Sequence, residues 1–223
     1  MMKSKKLIIV GLSNNAKLAA FYFNKDTEFR VVAYAVNREF KNTDLFQGLP
    51  VVDLESLNEL YNPNEYSAFV AVGYNKMNGV REFLYNKLKE LGYSLPNYIS
   101  PKCNFLTEEQ IGDNNLILED NTIQPFVKIG SNNVLWSGNH IGHDVGIGDH
   151  NFITSHVVVS GFTKIENNTF IGVNATIRDG IVISNKSLIA AGAIIMKSTS
   201  EGDVWAPAKS SLFSKKSDQI QIS

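Results

Sequence analysis

The chain lacks most of what would place it outside a reducing, aqueous compartment. Cys103 is its single cysteine, so no internal disulfide can form, which fits a reducing setting. No stretch approaches the roughly 20 successive apolar residues that a bilayer-spanning helix needs. Lysines precede the apolar run Leu7-Ile8-Ile9-Val10, but the run is too short for a signal peptide and meets Gly11, so a first β-strand is expected. The net charge of −1 leaves no excess of either sign and argues against nucleic acid or an anionic membrane as the main partner. These absences point to a cytoplasmic protein without membrane insertion. At 223 residues it can form one large domain or two small ones.

What is abundant is a repeat. Stepping six residues at a time from Ile111 to Ile195 meets Ile, Leu or Val at all fifteen positions, including Leu135, Ile141, Ile153 and Val159. Neither a helix of 3.6 residues per turn nor simple alternation holds that phase. Each hexapeptide reads as a short strand and a turn, with the aliphatic residue pointing inward. Three hexapeptides close a triangular coil of 18 residues, and stacked coils bond as parallel strands. A longer echo supports the 18: Ile111-Gly-Asp-Asn-Asn, Ile129-Gly-Ser-Asn-Asn and Ile147-Gly-Asp-His-Asn recur at that interval. Asn, Asp and Gly suit the corners because they tolerate left-handed backbone angles.

The first hundred residues read differently. Strands are expected at Leu7–Val10, Phe29–Val36 and Ala68–Gly73, alternating with helices, which indicates a parallel α/β sheet with ligands at the C-terminal strand ends. Asp53 is expected to cap a short helix through Leu57 and Leu60. Val80, Phe83, Leu84, Leu88 and Leu91 are expected on the buried face of a helix that stops at Gly92. After the first strand, Gly11-x-Ser13-x-x-Ala16 supports two readings equally: a phosphate seat at a helix N-terminus, or a tight turn without ligand. Asn37 stands where a dinucleotide site would place a ribose-binding acid, which argues against such a cofactor. Gly73-Tyr74-Asn75-Lys76 offers further donors.

Three of the four histidines cluster in Asn139-His140-Ile141-Gly142-His143-Asp144 and at His150; His156 follows. Because Ile141 points inward, His140 and His143 face outward or sit at a corner. A neutral imidazole can accept a proton near neutral pH, and Asp144 can orient it. Cys103 precedes the regular repeats and is a poor nucleophile candidate.

A short α/β unit ahead of a hexapeptide prism that carries His-Asp resembles the sialic-acid/bacillosamine type of sugar acetyltransferase. The stretches that carry the resemblance are Gly73-Tyr-Asn-Lys-Met-Asn, Leu135-Trp-Ser-Gly-Asn-His-Ile-Gly-His-Asp, Ser155-His-Val-Val-Val-Ser-Gly and Phe170-Ile-Gly-Val-Asn-Ala-Thr-Ile. The resemblance implies a Rossmann-like α/β unit over residues 1–98, a left-handed parallel β-helix over 99–209 and a tail over 210–223. It implies His143 as general base with Asp144 assisting. It implies a nucleotide-linked amino sugar held by Gly11, Ser13, Asn14, Asn37, Gly73, Tyr74, Asn75 and Lys76. Acetyl-CoA is expected as co-substrate near Phe152, His156, Gly161, Val173 and Ala191, between subunits of a homotrimer, with no metal. Three departures accompany it: Phe152 replaces a donor-contacting histidine, no acid follows Val36, and a terminal Gly-x-Pro-Ala-Lys is shortened to Val204-Trp-Ala-Pro-Ala-Lys.

The implied chemistry is direct acyl transfer in surface-polysaccharide biosynthesis. His143 takes a proton from the sugar amine while backbone amides near Gly161 stabilise the oxyanion. A hydroxyl acceptor (O-acetylation) uses the same base and stays open. A carbonic-anhydrase-like zinc prism fits less well, since the histidine spacings lack His-x4-His. A non-catalytic sugar-nucleotide-binding protein is the remaining alternative.

Overall fold

A computed structural model describes residues 4–212, 214 and 216. The chain begins with β1 (Lys5–Val10), whose last four residues are buried on both faces. Leu7 and Ile9 join one apolar cluster, and Ile8 and Val10 join another on the opposite side. Burial on both faces is what a parallel strand under two layers requires. There follow α1 (Asn14–Asp26), β2 (Phe29–Val36), the hairpin of β3 (Leu45–Phe46) and β4 (Leu49–Asp53), α2 (Leu57–Leu60), β5 (Tyr66–Val70) and α3 (Gly79–Glu90). The sheet order is β3-β4-β2-β1-β5, parallel except for the β3–β4 hairpin.

Two local expectations need correction. Asp53 makes no capping bond; its carboxylate instead accepts from Arg38 Nε at 3.0 Å. Phe83 lies off the buried face of α3 and is 58% exposed, whereas Arg81 on the same helix is fully buried. The helix stops as expected, with Gly92 at φ +82°.

From Tyr98 onward the chain is a β-helix of two-residue strands in three parallel ladders. The first wall runs Tyr98–Ile99, Leu116–Ile117, Val134–Leu135, Phe152–Ile153, Phe170–Ile171, Leu188–Ile189 and Val204–Trp205. The second runs from Asn104–Phe105 through His140–Ile141 to Ile194–Ile195, and the third from Lys128–Ile129 to Val182–Ile183. Each strand pairs with the strand 18 residues on, until Leu188 pairs with Val204 and the last coil is shorter. Fourteen of the fifteen ladder residues are buried; Ile111 is half-buried, and Ile99 and Phe105 extend the same phase backwards. The coil is left-handed.

The corners explain why six residues suffice for a side. Every sixth residue from Asn114 to Gly192 has a positive φ, among them Asn132 (59°), Asp144 (58°), His150 (62°), His156 (59°), Phe162 (59°) and Asn174 (58°). Asn, Asp and Gly adopt this conformation cheaply; for Phe126 and Phe162 it costs about 1–2 kcal/mol each. Inside, Asn115, Asn133 and Asn151 stack. Each carboxamide oxygen accepts the N–H one coil on, at 2.8–2.9 Å, so the buried backbone is satisfied where the coil bends.

The α/β unit sits on the first wall. Leu116, Val134 and Phe152 pack into the same cluster as Leu7, Ile9, Phe23 and Phe69. Polar ties join the two parts: Val70 N–H to Asn114 Oδ1 (2.9 Å), Tyr22 to Glu119 (2.7 Å) and Lys89 to Asp113 (2.6 Å).

Candidate active site

Each wall meets the next at an edge of stacked left-handed residues. His143 and Asp144 lie on the edge between the second and third walls, and both are exposed. The left-handed backbone at Asp144 turns its carboxylate back to His143, where Oδ2 lies 2.9 Å from Nδ1. That contact favours the proton on Nδ1 and leaves Nε2 free to take one. Two residues not anticipated from the sequence fix the pair. Gln124, one coil back, accepts the His143 N–H at 2.8 Å, and the Phe162 ring meets the imidazole edge-on at 4.9 Å.

Gly161 lies one coil on from His143. A Cβ there would stand 3.0 Å from both Cε1 and Nε2 of the imidazole, so the missing side chain makes room for the ring. The Gly161 N–H has no hydrogen-bond partner among the described residues. An open amide beside a base is the arrangement an oxyanion needs.

The other residues expected to hold the acyl donor are elsewhere. His156, Val173 and Ala191 lie along the edge between the first and second walls, across the second wall from His143, and all three are exposed. The His156 ring covers Gly138, where a Cβ would fall 2.6 Å from it. Phe152 is on neither edge. It is buried on the first wall, stacked on Phe170 and touched by Tyr74 at 5.1 Å between ring centres.

A third group surrounds a cleft of about 350 Å³ at the C-terminal ends of β1, β2 and β5. Of the expected acceptor residues, Gly11, Ser13, Asn37, Gly73 and Asn75 line it, together with the unanticipated Phe40, Val80, Phe83 and Leu84. Asn14, Tyr74 and Lys76 do not line it; Tyr74 instead lies against Phe152 and Phe170. Gly11 is required by its φ of +128° and by Ala71 O, 3.0 Å from where a Cβ would be. No side chain caps α1, so the N–H groups of its first turn carry no capping bond.

The loop after β5 is held under strain. Lys76, Met77 and Asn78 are successively left-handed (φ 52°, 50° and 65°). Arg81 anchors it. Its guanidinium uses all five N–H groups: Nε to Asn132 O (3.2 Å), Nη1 to Gly73 O and Asn78 Oδ1 (both 3.1 Å), and Nη2 to His150 O (2.7 Å) and Asn151 O (3.1 Å). No carboxylate neutralises it, and burial pushes its pKa down to about 9. The Asn78 amide also donates to Thr169 O at 2.8 Å. One buried cation thereby ties the cleft loop to three coils of the prism. Nothing in the sequence marked it, because an arginine on an amphipathic helix reads as surface.

His150 belongs to this junction. Asn132 Nδ2 donates to its Nδ1 at 2.8 Å, Tyr85 packs on it, and burial lowers its pKa. Among the described residues no group of three or more His, Cys, Asp and Glu side chains is arranged to hold a metal. No helix there is long and apolar enough to cross a membrane.

Comparison with known proteins agrees with this architecture. Residues 163–197 match the family model for the hexapeptide repeat of succinyl-transferase. No curated protein sequence matches the chain. Among solved structures, the acetyltransferase domain of PglB from Neisseria gonorrhoeae superposes with a TM-score of 0.79 at 22% identity, covering 92% of this chain and 100% of that one. PerB from Caulobacter crescentus, solved with CoA and GDP-perosamine, gives 0.77 at 22% identity, covering 89% and 92%. WeeI from Acinetobacter baumannii gives 0.75 at 22% identity, covering 90% and 95%. From the first strand of its sheet to the last coils of its prism, the chain has the fold of these proteins, an α/β unit seated on a left-handed hexapeptide β-helix.

Proposed function

We propose that this chain is an acetyl-CoA-dependent N-acetyltransferase acting on the amino group of a nucleotide-linked amino sugar, in the cytoplasm, for surface polysaccharide. The observation that carries the reading is the His143–Asp144 pair, 2.9 Å apart on a rigid corner, beside an open amide at Gly161. The shared fold supports it: PerB was solved with CoA and GDP-perosamine, and PglB's matching domain is an acetyltransferase domain.

The amine attacks the thioester carbonyl as His143 Nε2 takes its proton, and Asp144 stabilises the imidazolium that forms. The Gly161 N–H faces the developing oxyanion. The C–N bond forms, the C–S bond breaks, and the proton held by His143 returns to the departing thiolate. No covalent enzyme intermediate is needed, and burial pushes the Cys103 thiol up to about 11, far from a thiolate nucleophile.

The active unit is a homotrimer. Within one chain the base stands across the second wall from His156, Val173 and Ala191, and the α/β unit covers the first wall. The second wall and its edge expose Val158, Ile194, Phe126 and Phe162, each at least 39% open. Packing a neighbour there joins the base of one copy to the donor edge and acceptor cleft of another. Acetyl-CoA lies in that seam.

The test is thiol release from acetyl-CoA with a panel of amino-sugar nucleotides, with mass spectrometry of the product. His143→Ala is expected to lower kcat by roughly 10²–10⁴-fold with the oligomer intact. Near-normal turnover by that variant removes the assignment.

A further inference from the structure

The edge that carries His143 is not symmetric about the base, and the asymmetry indicates where the acceptor's sugar lies, an inference that rests on the acetyltransferase reading above. Pro125, His143 and Gly161 hold the same corner position on three successive coils: Asp144 N–H donates to Pro125 O (3.3 Å) and Phe162 N–H to His143 O (3.1 Å). The His143 N–H is taken by Gln124, while the Gly161 N–H has no partner among the described residues. Pro125 has no N–H at all, because its side chain closes on the nitrogen. A thioester oxygen beside His143 therefore finds its backbone donor on the Gly161 side. The amine has to come from elsewhere, and along this edge the Pro125 side is the one left.

That side is hollow. Leu106, Glu108, Glu109, Gln110, Pro125 and Phe126 enclose about 570 Å³ one coil back from the pair, within the size range of small-molecule sites. Its rim is fixed to the next coil: Leu106 N–H donates to Ile123 O and the buried Thr107 hydroxyl to Val127 O, both at 2.8 Å. Phe126 is 61% exposed at φ 68°, a corner conformation that Asn or Gly adopts at less cost, so the ring does not serve the prism's own stability. Glu108, Glu109 and Gln110 are exposed beside it. A sugar ring has C–H faces and a rim of hydroxyls. Its C–H groups carry slight positive charge and suit the negative face of an aromatic ring. Its hydroxyls donate to carboxylates in bonds stronger than those between neutral groups.

We propose that this hollow holds the sugar ring of the acceptor, with Phe126 as its platform and Glu108 and Glu109 accepting from its hydroxyls. The amine then points along the edge to His143 Nε2, and the thioester carbonyl meets it from the Gly161 coil. The base stands between the two substrates, where the proton has to be taken.

The experiment is steady-state kinetics of the full chain with an amino-sugar nucleotide that the wild type acetylates, varying acceptor and acetyl-CoA separately. One variant is Phe126→Asn, which suits the corner and removes the ring; the other carries Glu108→Gln and Glu109→Gln together. Each is expected to raise the acceptor KM roughly tenfold, with kcat and the acetyl-CoA KM within about twofold of wild type. The melting temperature of Phe126→Asn is expected to be unchanged or higher. Wild-type acceptor KM in both variants overturns the proposal and leaves the acetyltransferase reading standing. A rise confined to the acetyl-CoA KM puts the donor in the hollow and overturns it too. If Phe126→Asn loses its oligomer, the glutamate variant decides: wild-type acceptor KM there assigns the ring to a subunit contact and overturns the proposal, and a tenfold rise supports it. If the wild type acetylates no member of the panel, the acetyltransferase reading falls and the proposal with it.

Discussion

Replacing Arg81 by Met tests whether one buried cation fastens the two parts of the molecule. Met keeps the unbranched stem and removes all five donors. Asn151 O retains a bond from Val134 N–H (2.9 Å), but the carbonyls of Gly73, Asn132 and His150 lose their only partner among the described residues, as does Asn78 Oδ1. An orphaned buried acceptor costs about 1–3 kcal/mol, so four cost roughly 4–12 kcal/mol. Part is returned, because the guanidinium's own burial is unfavourable enough to push its pKa down to about 9. A net loss of about 3–5 kcal/mol follows, the range seen when one partner of a buried charged network is removed. For a chain of this size that lowers the melting temperature by roughly 6–20 °C. The assay is thermal unfolding by circular dichroism, with limited proteolysis between residues 70 and 80 to show whether the strained loop is released. A drop below about 3 °C with the loop still protected refutes the reasoning, because the carbonyls must then find other partners.

Other perturbations address the remaining links. Asp144→Asn keeps a residue that tolerates φ 58° but removes the charge facing the imidazolium, so kcat falls by about tenfold or more with melting unchanged; equal turnover would release Asp144 from its role. Gly161→Ala places a methyl 3.0 Å from the His143 ring and is expected to lower kcat several-fold without unfolding the prism, checked by steady-state kinetics and melting together. His150 titrates below its ordinary 6.5 because burial disfavours its charged form, so the unfolded chain binds the proton more readily. Its contribution is therefore complete above about pH 6.5 and is lost as pH falls from there towards the lower folded pKa. Urea unfolding of wild type and His150→Gln across that window is expected to show a shallower pH slope in the variant; matching slopes exclude the linkage. Ile153→Ala in the prism core is expected to cost about 2–5 kcal/mol in the same denaturant assay.

How much of this was legible in the chain differs between the two parts. The hexapeptide ladder gave walls, register and an inward set, because a coil of fixed length leaves each aliphatic residue one possible direction. The His143–Asp144 contact was legible in part: the repeat phase puts the pair at a corner, and the left-handed backbone that a corner Asp adopts turns its carboxylate back to the imidazole. The Asp53 cap and the Phe83 face were misread, since helix periodicity and capping preferences are weak beside tertiary contacts such as Arg38 with Asp53. Phe40, Gln124, Phe162 and above all Arg81 had no local signature.

Sequence alone determined that this chain forms a parallel stack of 18-residue coils with an α/β unit ahead of it, because periodic burial is a property of the chain's own spacing. Only the tertiary structure decided that the unit rests on the first wall and that Arg81 holds the cleft loop there. Those facts depend on which surfaces meet, and no count of residues along the chain encodes that.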